Sequence, residues 1–181
     1  SDSYSSTAMV NDGQGTYSGT IPGSSVTQSG LLYYVMSQDV LGFSSSSDTL
    51  GAAVNFASGT LTTNSASGSA YPTGLPIDAW RLISTPAVLN ETGLTQVFDE
   101  LGTQDNTVWR VFRYDDVSNT YKDNPIDLNS TESYWIYQKT EDNLTMDTPA
   151  GKTGDMAGTE ITLKTGWNFI GSPYPFQVPL Q

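Results

Sequence analysis

Asp115, Asp116, Asn119, Asp123 and Asp127 place five hard oxygen donors within thirteen residues. Donors of that kind suit calcium better than any transition metal. Their spacing is not that of the EF-hand loop, which needs glycine at its sixth position. A solvated hairpin tip would carry the same composition, so calcium is the one ion the chain points to. Other site chemistry is sparse. There is no His and no Cys, which leaves no Ser-His-Asp triad, no thiol nucleophile and no His-containing zinc site. No S-x-x-K pair is present. Nineteen acidic residues would supply the two carboxylates of a glycoside hydrolase, but position singles out no pair. The chain is therefore read as non-catalytic, with no cofactor beyond that calcium.

A second chemistry resides in the aromatics. Exposed Tyr and Trp rings stack on sugars; Trp109, Trp135, Tyr114, Tyr121, Tyr134 and Tyr137 are the candidates, and Tyr134 with Tyr114 or Tyr121 is the set singled out for a carbohydrate site. Period-two alternation puts Trp109, Val111 and Arg113 on one face of a strand and Arg110, Phe112 and Tyr114 on the other. Trp135 and Tyr137 likewise share a face. Trp80, Trp109, Trp135 and Trp167 are expected in the core, because burying an indole stabilises a Ser/Thr-rich chain more than any other single side chain here. Three N-x-[ST] sequons, at Asn90, Asn129 and Asn143, are candidate glycosylation sites.

Charge narrows the partners. The net charge is −12, and no Lys or Arg precedes Arg81. Nucleic acid is excluded as a partner, since no basic patch offsets phosphate repulsion. No apolar run approaches the ~18 residues of a membrane-spanning helix, so membrane insertion is not expected. The 36% hydrophobic and 14% charged fractions are both low, with Ser, Thr, Gly and Asn in their place. That is the composition of turn-rich, secreted β-proteins.

The positioning elements follow from pattern. Asn11-Asp12-Gly13 marks a turn, residues 15–22 a short strand ended by Pro22, and residues 31–39 the best strand of the first part. Leu31, Tyr33 and Val35 face one way; Leu32, Tyr34 and Met36 face the other. Both faces are apolar, so this strand is expected to be central and covered on both sides. Leu50, Ala52, Val54 and Phe56 alternate along another strand over 49–56. A Ser/Thr/Gly-rich linker is expected over 58–78.

The pattern Tyr17…Ile21-Pro22…Val26…Gly30-Leu31-x-Tyr33-Tyr34-Val35-x-Ser37-x-Asp39-x-x-Gly42 resembles the second half of a fibronectin type III or related immunoglobulin-like domain. The resemblance implies that Tyr33 is a tyrosine-corner residue, its hydroxyl tied to the preceding turn. Residues 1–57 supply only three or four strands, whereas such a sandwich takes about seven strands and roughly 100 residues. The missing strands are expected from upstream sequence of a longer chain, from the C-terminal block, or from a neighbouring copy by strand addition.

The second module, residues 79–181, is bracketed by a repeat. Trp80-Arg81-Leu82-Ile83-Ser84-Thr85-Pro86 and Trp167-Asn168-Phe169-Ile170-Gly171-Ser172-Pro173 both fit W-x-[LF]-I-[SG]-[ST]-P. Each is expected to be a strand begun by its Trp and halted by Pro86 or Pro173, which have no N–H to donate. Between them lie a helix over 91–101 with Asn90 as N-cap, a hairpin over 108–122 turning at Asn119, and strands over 133–139 and 160–164. Leu94, Val97, Phe98 and Leu101 form the helix's apolar stripe. This order of Trp80–Pro86 motif, helix ending Leu101-Gly102, Trp109-Arg110-x-Phe112-x-Tyr114, Tyr134-Trp135-Ile136 and Gly166–Pro173 motif resembles a module of large exported surface proteins of Bacteroidota, Chlorobi and related bacteria. The resemblance implies a secreted or cell-surface location and no established activity. Asp48-Thr49-Leu50 resembles the D-[ST]-aliphatic site of O-glycan attachment in such exported proteins, on Thr49.

The fold class expected is all-β: a partial immunoglobulin-like β-sandwich followed by a β-rich module with one short helix. The function expected is a structural or assembly module of an extracellular bacterial protein, in a filament, surface layer or adhesin stalk. It would join copies of itself, or neighbouring domains of a longer polypeptide, through strand edges. The alternative is a carbohydrate-binding accessory module of a secreted polysaccharide-degrading enzyme, with glycans as partners.

Overall fold

The computed structural model describes residues 4–27, 30–63, 73–154 and 158–174. Among them the fold is all-β, with short antiparallel strands and one four-residue helix. The first part carries two-stranded ladders only. Strand β1 (Val10–Asn11) pairs with β2 (Tyr17–Ser18) across the Asp-Gly turn, where Asp12 Oδ1 accepts from the Gln14 N–H at 2.8 Å. Strands β3 (Leu31–Tyr33) and β4 (Met36–Gln38) divide the run that the pattern presents as one strand. Strand β4 folds back on β5 (Ser44–Ser46), whereas β3 pairs with β6 (Leu50–Ala52).

The division has a local cause. Asp39 Oδ1 accepts from the N–H groups of Leu41 and Phe43, both at 2.9 Å, and Gly42 adopts φ +91°. That turn closes β4 onto its nearest neighbour at small loop entropy. With no third strand alongside among the described residues, neither half is covered on both sides: Leu31, Leu32 and Tyr33 are half-buried and Tyr34 to Gln38 are exposed. Tyr33 lies opposite Leu50, and among the described residues its hydroxyl has no hydrogen-bond partner, so the tyrosine-corner bond is not formed.

Strand β7 (Asn55–Phe56) leaves the line of β6 and enters a three-stranded sheet, with β13 (Gly151–Lys152) in the middle and β9 (Val88–Leu89) beyond it. Gly151 is needed there, because a Cβ would lie 2.6 Å from the Val88 carbonyl oxygen. The flanks of the expected linker also join the core. Leu61 and Leu75 are buried; the Leu61 carbonyl accepts from the Thr148 N–H, and Leu75 exchanges a pair of backbone hydrogen bonds with Leu144.

The main sheet runs β11 (Thr120–Asp123), β10 (Trp109–Asp115), β12 (Tyr134–Gln138), β8 (Arg81–Ile83). Its inner face presents Trp109, Val111, Tyr134, Ile136 and Gln138, all buried. Leu94, Val97, Phe98 and Leu101 pack among them, so the apolar stripe lies as its spacing predicts. The helix itself is shorter. Helix α1 (Leu94–Val97) is capped by Gly93, and a 3-10 turn over Asp99–Leu101 completes the stripe. Asn90 is not the cap, because residues 90–93 are engaged elsewhere. The Asn90 N–H donates to Ala150, the Thr92 carbonyl accepts from Leu128, and Gly93 bridges Asp127.

The two repeat copies share β12. Copy one forms β8 and pairs along Tyr134 to Ile136. Copy two is not a strand. It touches β12's lower end through the Ser133 N–H to the Phe169 carbonyl (3.1 Å), the Gly171 N–H to the Thr131 carbonyl (2.9 Å) and an Ile170–Glu132 bridge. Residues 160–164 likewise form no strand. Strand β12 has one edge on this side, and β8 already occupies most of it. Of the four tryptophans only Trp109 is buried; Trp135 is half-buried, and Trp80 and Trp167 are 45% and 78% exposed.

Candidate functional site

The acidic hairpin forms as its alternation predicts, with Asn119 at φ 54° in the turn. Its oxygens do not converge. Asp115 accepts from the Ser118 hydroxyl (2.7 Å) and the Val117 N–H (3.1 Å), and Lys122 Nζ stands 3.4 Å away. The Ser118 hydroxyl leads in holding this carboxyl down, to a pKa of about 2. Asp116 pairs with Lys164 (2.7 Å), Asp123 with Arg110 (2.5 Å), and Asp127 accepts from the Thr92 hydroxyl (3.2 Å). Asn119 accepts from the Tyr114 hydroxyl. No three of the four aspartates bring ligand oxygens within 4.8 Å of one another.

The carboxylates that do converge are Asp99, Glu100 and Asp147, whose oxygens lie within 4.8 Å. Glu100 Oε1 accepts from the Asp147 N–H at 2.5 Å, while Oε2 is buried without a partner. Burial pushes this carboxyl's pKa up, and the nearby Asp99 and Asp147 add to it. Such a set has the hard-oxygen chemistry of a calcium or magnesium ligand group. Sequence reasoning missed it because 47 positions separate Glu100 from Asp147, with no motif between them.

Of the three tyrosines proposed for sugar, Tyr134 faces the core. Its hydroxyl accepts from the Asn129 N–H (2.6 Å) and donates to Glu132 Oε2 (3.0 Å), and burial pushes its ionisation far up. It cannot meet a ligand at the surface. Tyr114 and Tyr121 are cross-strand partners with ring centroids 5.4 Å apart. Phe169, from copy two, stacks on both at 5.1 and 6.1 Å. Tyr121 remains half open to solvent.

These tyrosines lie at one end of a larger surface. The register aligns Asp123, Phe112, Trp135 and Leu82 across the outer face of the main sheet, with Arg110 and Tyr137 in the next row. Trp80 leans over that row, 5.1 Å from the Tyr137 ring and 5.5 Å from Phe112. The Arg110 guanidinium lies 4.8 Å over Phe112, Lys139 Nζ 5.8 Å from Tyr137, and the Tyr137 hydroxyl donates to Asp78 at 2.8 Å. Copy two covers the Tyr114 end of this face. The Trp80 end is open.

Comparison with protein-family models, with curated proteins and with solved structures gives no match.

The candidate glycosylation residues Thr49, Asn90, Asn129 and Asn143 are all exposed. Asn129 Oδ1 already accepts from the Thr131 N–H (3.0 Å) and hydroxyl (2.9 Å), and Asn143 sits at φ 59°. Pro86 is half-buried and Pro173 buried, each closing its copy of the repeat. An open depression of about 770 Å³ bordered by Gln104, Asp105, Asn106 and Asn124 holds a single carboxylate. That carboxylate, Asp105, is engaged by the Thr107 hydroxyl and N–H at 2.6 and 2.8 Å. No helix among the described residues is long and apolar enough to cross a membrane.

The remaining surface of note is the first part. Among described residues 4–50 none is buried, while Val10, Tyr17, Met36, Val40, Leu41 and Phe43 stand exposed. The turn between β4 and β5 carries Val40 and Leu41 at its tip, with Phe43 just beyond.

Proposed function

We propose that this chain is a non-catalytic structural module that joins its neighbours through β-strand edges. The observation that supports the reading is the first part, with open two-stranded ladders, large apolar side chains in water and no buried residue among those described. An isolated two-stranded ladder is marginal in water, and independent stability takes three or more strands with a covered apolar face. Exposed edges and apolar patches of this kind mark places where another chain adds a strand. The second module supplies the stable anchor, its core completed by Leu61, Leu75 and Phe56 from the preceding residues, and β7 ties the two parts together.

The partner is a second copy of this chain or a neighbouring domain of a longer polypeptide. The setting that fits is extracellular or cell-surface, in a filament, surface layer or adhesin stalk, where a Ser/Thr-rich, Cys-free, acidic module stays soluble until it pairs. Sedimentation velocity over a dilution series tests this. Association that grows with concentration and resists added salt is the expected result. A monomer at every concentration, with a cooperatively folded first part, would contradict it.

A further inference from the structure

Beyond assembly, we propose that the Trp80 end of the outer sheet face binds a neutral polysaccharide chain. Trp80, Tyr137 and Phe112 form the stacking platform, and Arg110, Asp123 and Asp78 are the hydroxyl-binding groups at its rim.

The face is flat, aromatic and open, with Trp80 and Leu82 nearly half exposed beside the half-buried Phe112, Trp135 and Tyr137. Its opposite side is a filled core, so these rings are not needed to complete the interior. Neighbouring strands lie about 4.8 Å apart, so β10, β12 and β8 together offer a strip about two sugar rings wide. Leu82 is the only aliphatic residue in it. That composition suits the C–H face of a pyranose, which lies flat on an aromatic ring, better than it suits an aliphatic protein surface.

The polar groups settle the charge of the ligand. Arg110 is neutralised by Asp123 at 2.5 Å, and Asp78 accepts from the Tyr137 hydroxyl at 2.8 Å. The Arg110–Asp123 pair can donate to and accept from sugar hydroxyls without presenting a net charge, while the Asp78 carboxylate, which the Tyr137 hydroxyl does not neutralise, accepts from hydroxyls and would repel an anionic ligand. A polyanionic glycan would meet the repulsion of a chain carrying −12. A neutral one would not. Phe169 covers Tyr114 and Tyr121, so the site lies toward Trp80 and away from those tyrosines.

Affinity gel electrophoresis of the full 181-residue chain through hydroxyethylcellulose, xylan and galactomannan tests the proposal. At least one polymer should retard the protein. Trp80→Ala should weaken that retardation ~tenfold or more, as loss of a central aromatic anchor does. Trp167→Ala removes a more exposed indole outside the platform and should leave it unchanged. Tyr137→Phe keeps the ring, removes the link to Asp78 and should give an intermediate loss. Urea unfolding of each variant shows that the fold is retained. No retardation by any of the three polymers would overturn the proposal, as would equal retardation of wild type and Trp80→Ala. Loss of self-association in Trp80→Ala without any glycan binding would assign the face to a second copy of the chain and overturn it too.

Discussion

Ser84 and Gly171 occupy the same position in the two copies of the Trp-to-Pro repeat, and they pack against each other. A Cβ built on Gly171 would lie 2.8 Å from Ser84 Cβ and 2.3 Å from the Glu132 carbonyl oxygen. The two copies therefore meet end to end beside β12, and only one of them has room for a side chain at the junction. This explains why the repeat reads serine in one copy and glycine in the other.

Gly171→Ala should cost about 1–3 kcal/mol, the usual penalty of forcing atoms into a packed site. Urea unfolding measures it. Ser84→Gly in the same chain should recover only part of the loss, since the closer clash is with backbone. Full recovery would place the strain wholly between the two side chains.

Phe169 is the one ring by which copy two grips the sheet, across Tyr114 and Tyr121. Phe169→Ala should destabilise the protein by about 1–2 kcal/mol, less than a fully buried Phe, and should increase the solvent exposure of both tyrosines. Tyrosine fluorescence quenching reads the second effect. Unchanged quenching would mean that the segment is held by Lys164–Asp116 and the Ser133 contacts alone.

The pH dependence carries two opposed contributions. Asp115 has its folded pKa lowered from 3.8 to about 2, so it stabilises the fold above pH 3.8 and that stability disappears as pH falls through 2. Asp115→Asn should remove this acid-side slope in urea midpoints taken across that window. A slope identical to wild type would show that Asp115 is no better satisfied folded than unfolded.

Glu100 acts in the other direction. Its folded pKa is raised above 4.5, so the ionised form is penalised in the fold at neutral pH and the penalty vanishes on acidification. Glu100→Gln keeps the acceptor for the Asp147 N–H and turns the orphaned oxygen into a donor facing two carboxylates. It should raise Tm by about 2 °C at pH 7, with the gain fading as pH falls towards 4.5. A lower Tm at pH 7 would mean that the charge is compensated by a bound cation.

How much was legible in the sequence depends on what each pattern encodes. The hairpin of β10 and β11, strand β12 and the Leu94–Leu101 stripe were legible because period two and period 3.6 specify which face is buried. The helix start was not, because Asn90 to Gly93 are held by residues 127, 128 and 150, far along the chain. The two-sided apolar run at 31–39 shows what would be buried if partners were present, but not whether they are. Trp167 repeats Trp80 in sequence yet differs in structure, since one strand edge cannot hold two copies along the same length. The open aromatic face was half legible. Alternation grouped Arg110, Phe112 and Tyr114, and Trp135 with Tyr137, but nothing local says which face the helix will cover.

The edge of the β4–β5 ladder tests the central claim most directly. Ser47 donates to Val35 and Asp39 to Phe43, so by the alternation of antiparallel pairs the Met36 and Ser46 N–H groups point outward. Ser46→Pro and Met36→Pro then remove donors needed for strand addition while sparing the ladder's own bonds. Sedimentation velocity of the double variant beside wild type is the measurement. The account predicts concentration-dependent association in wild type and a monomer in the variant, with the second module's unfolding unchanged. Association of equal strength in both would contradict it.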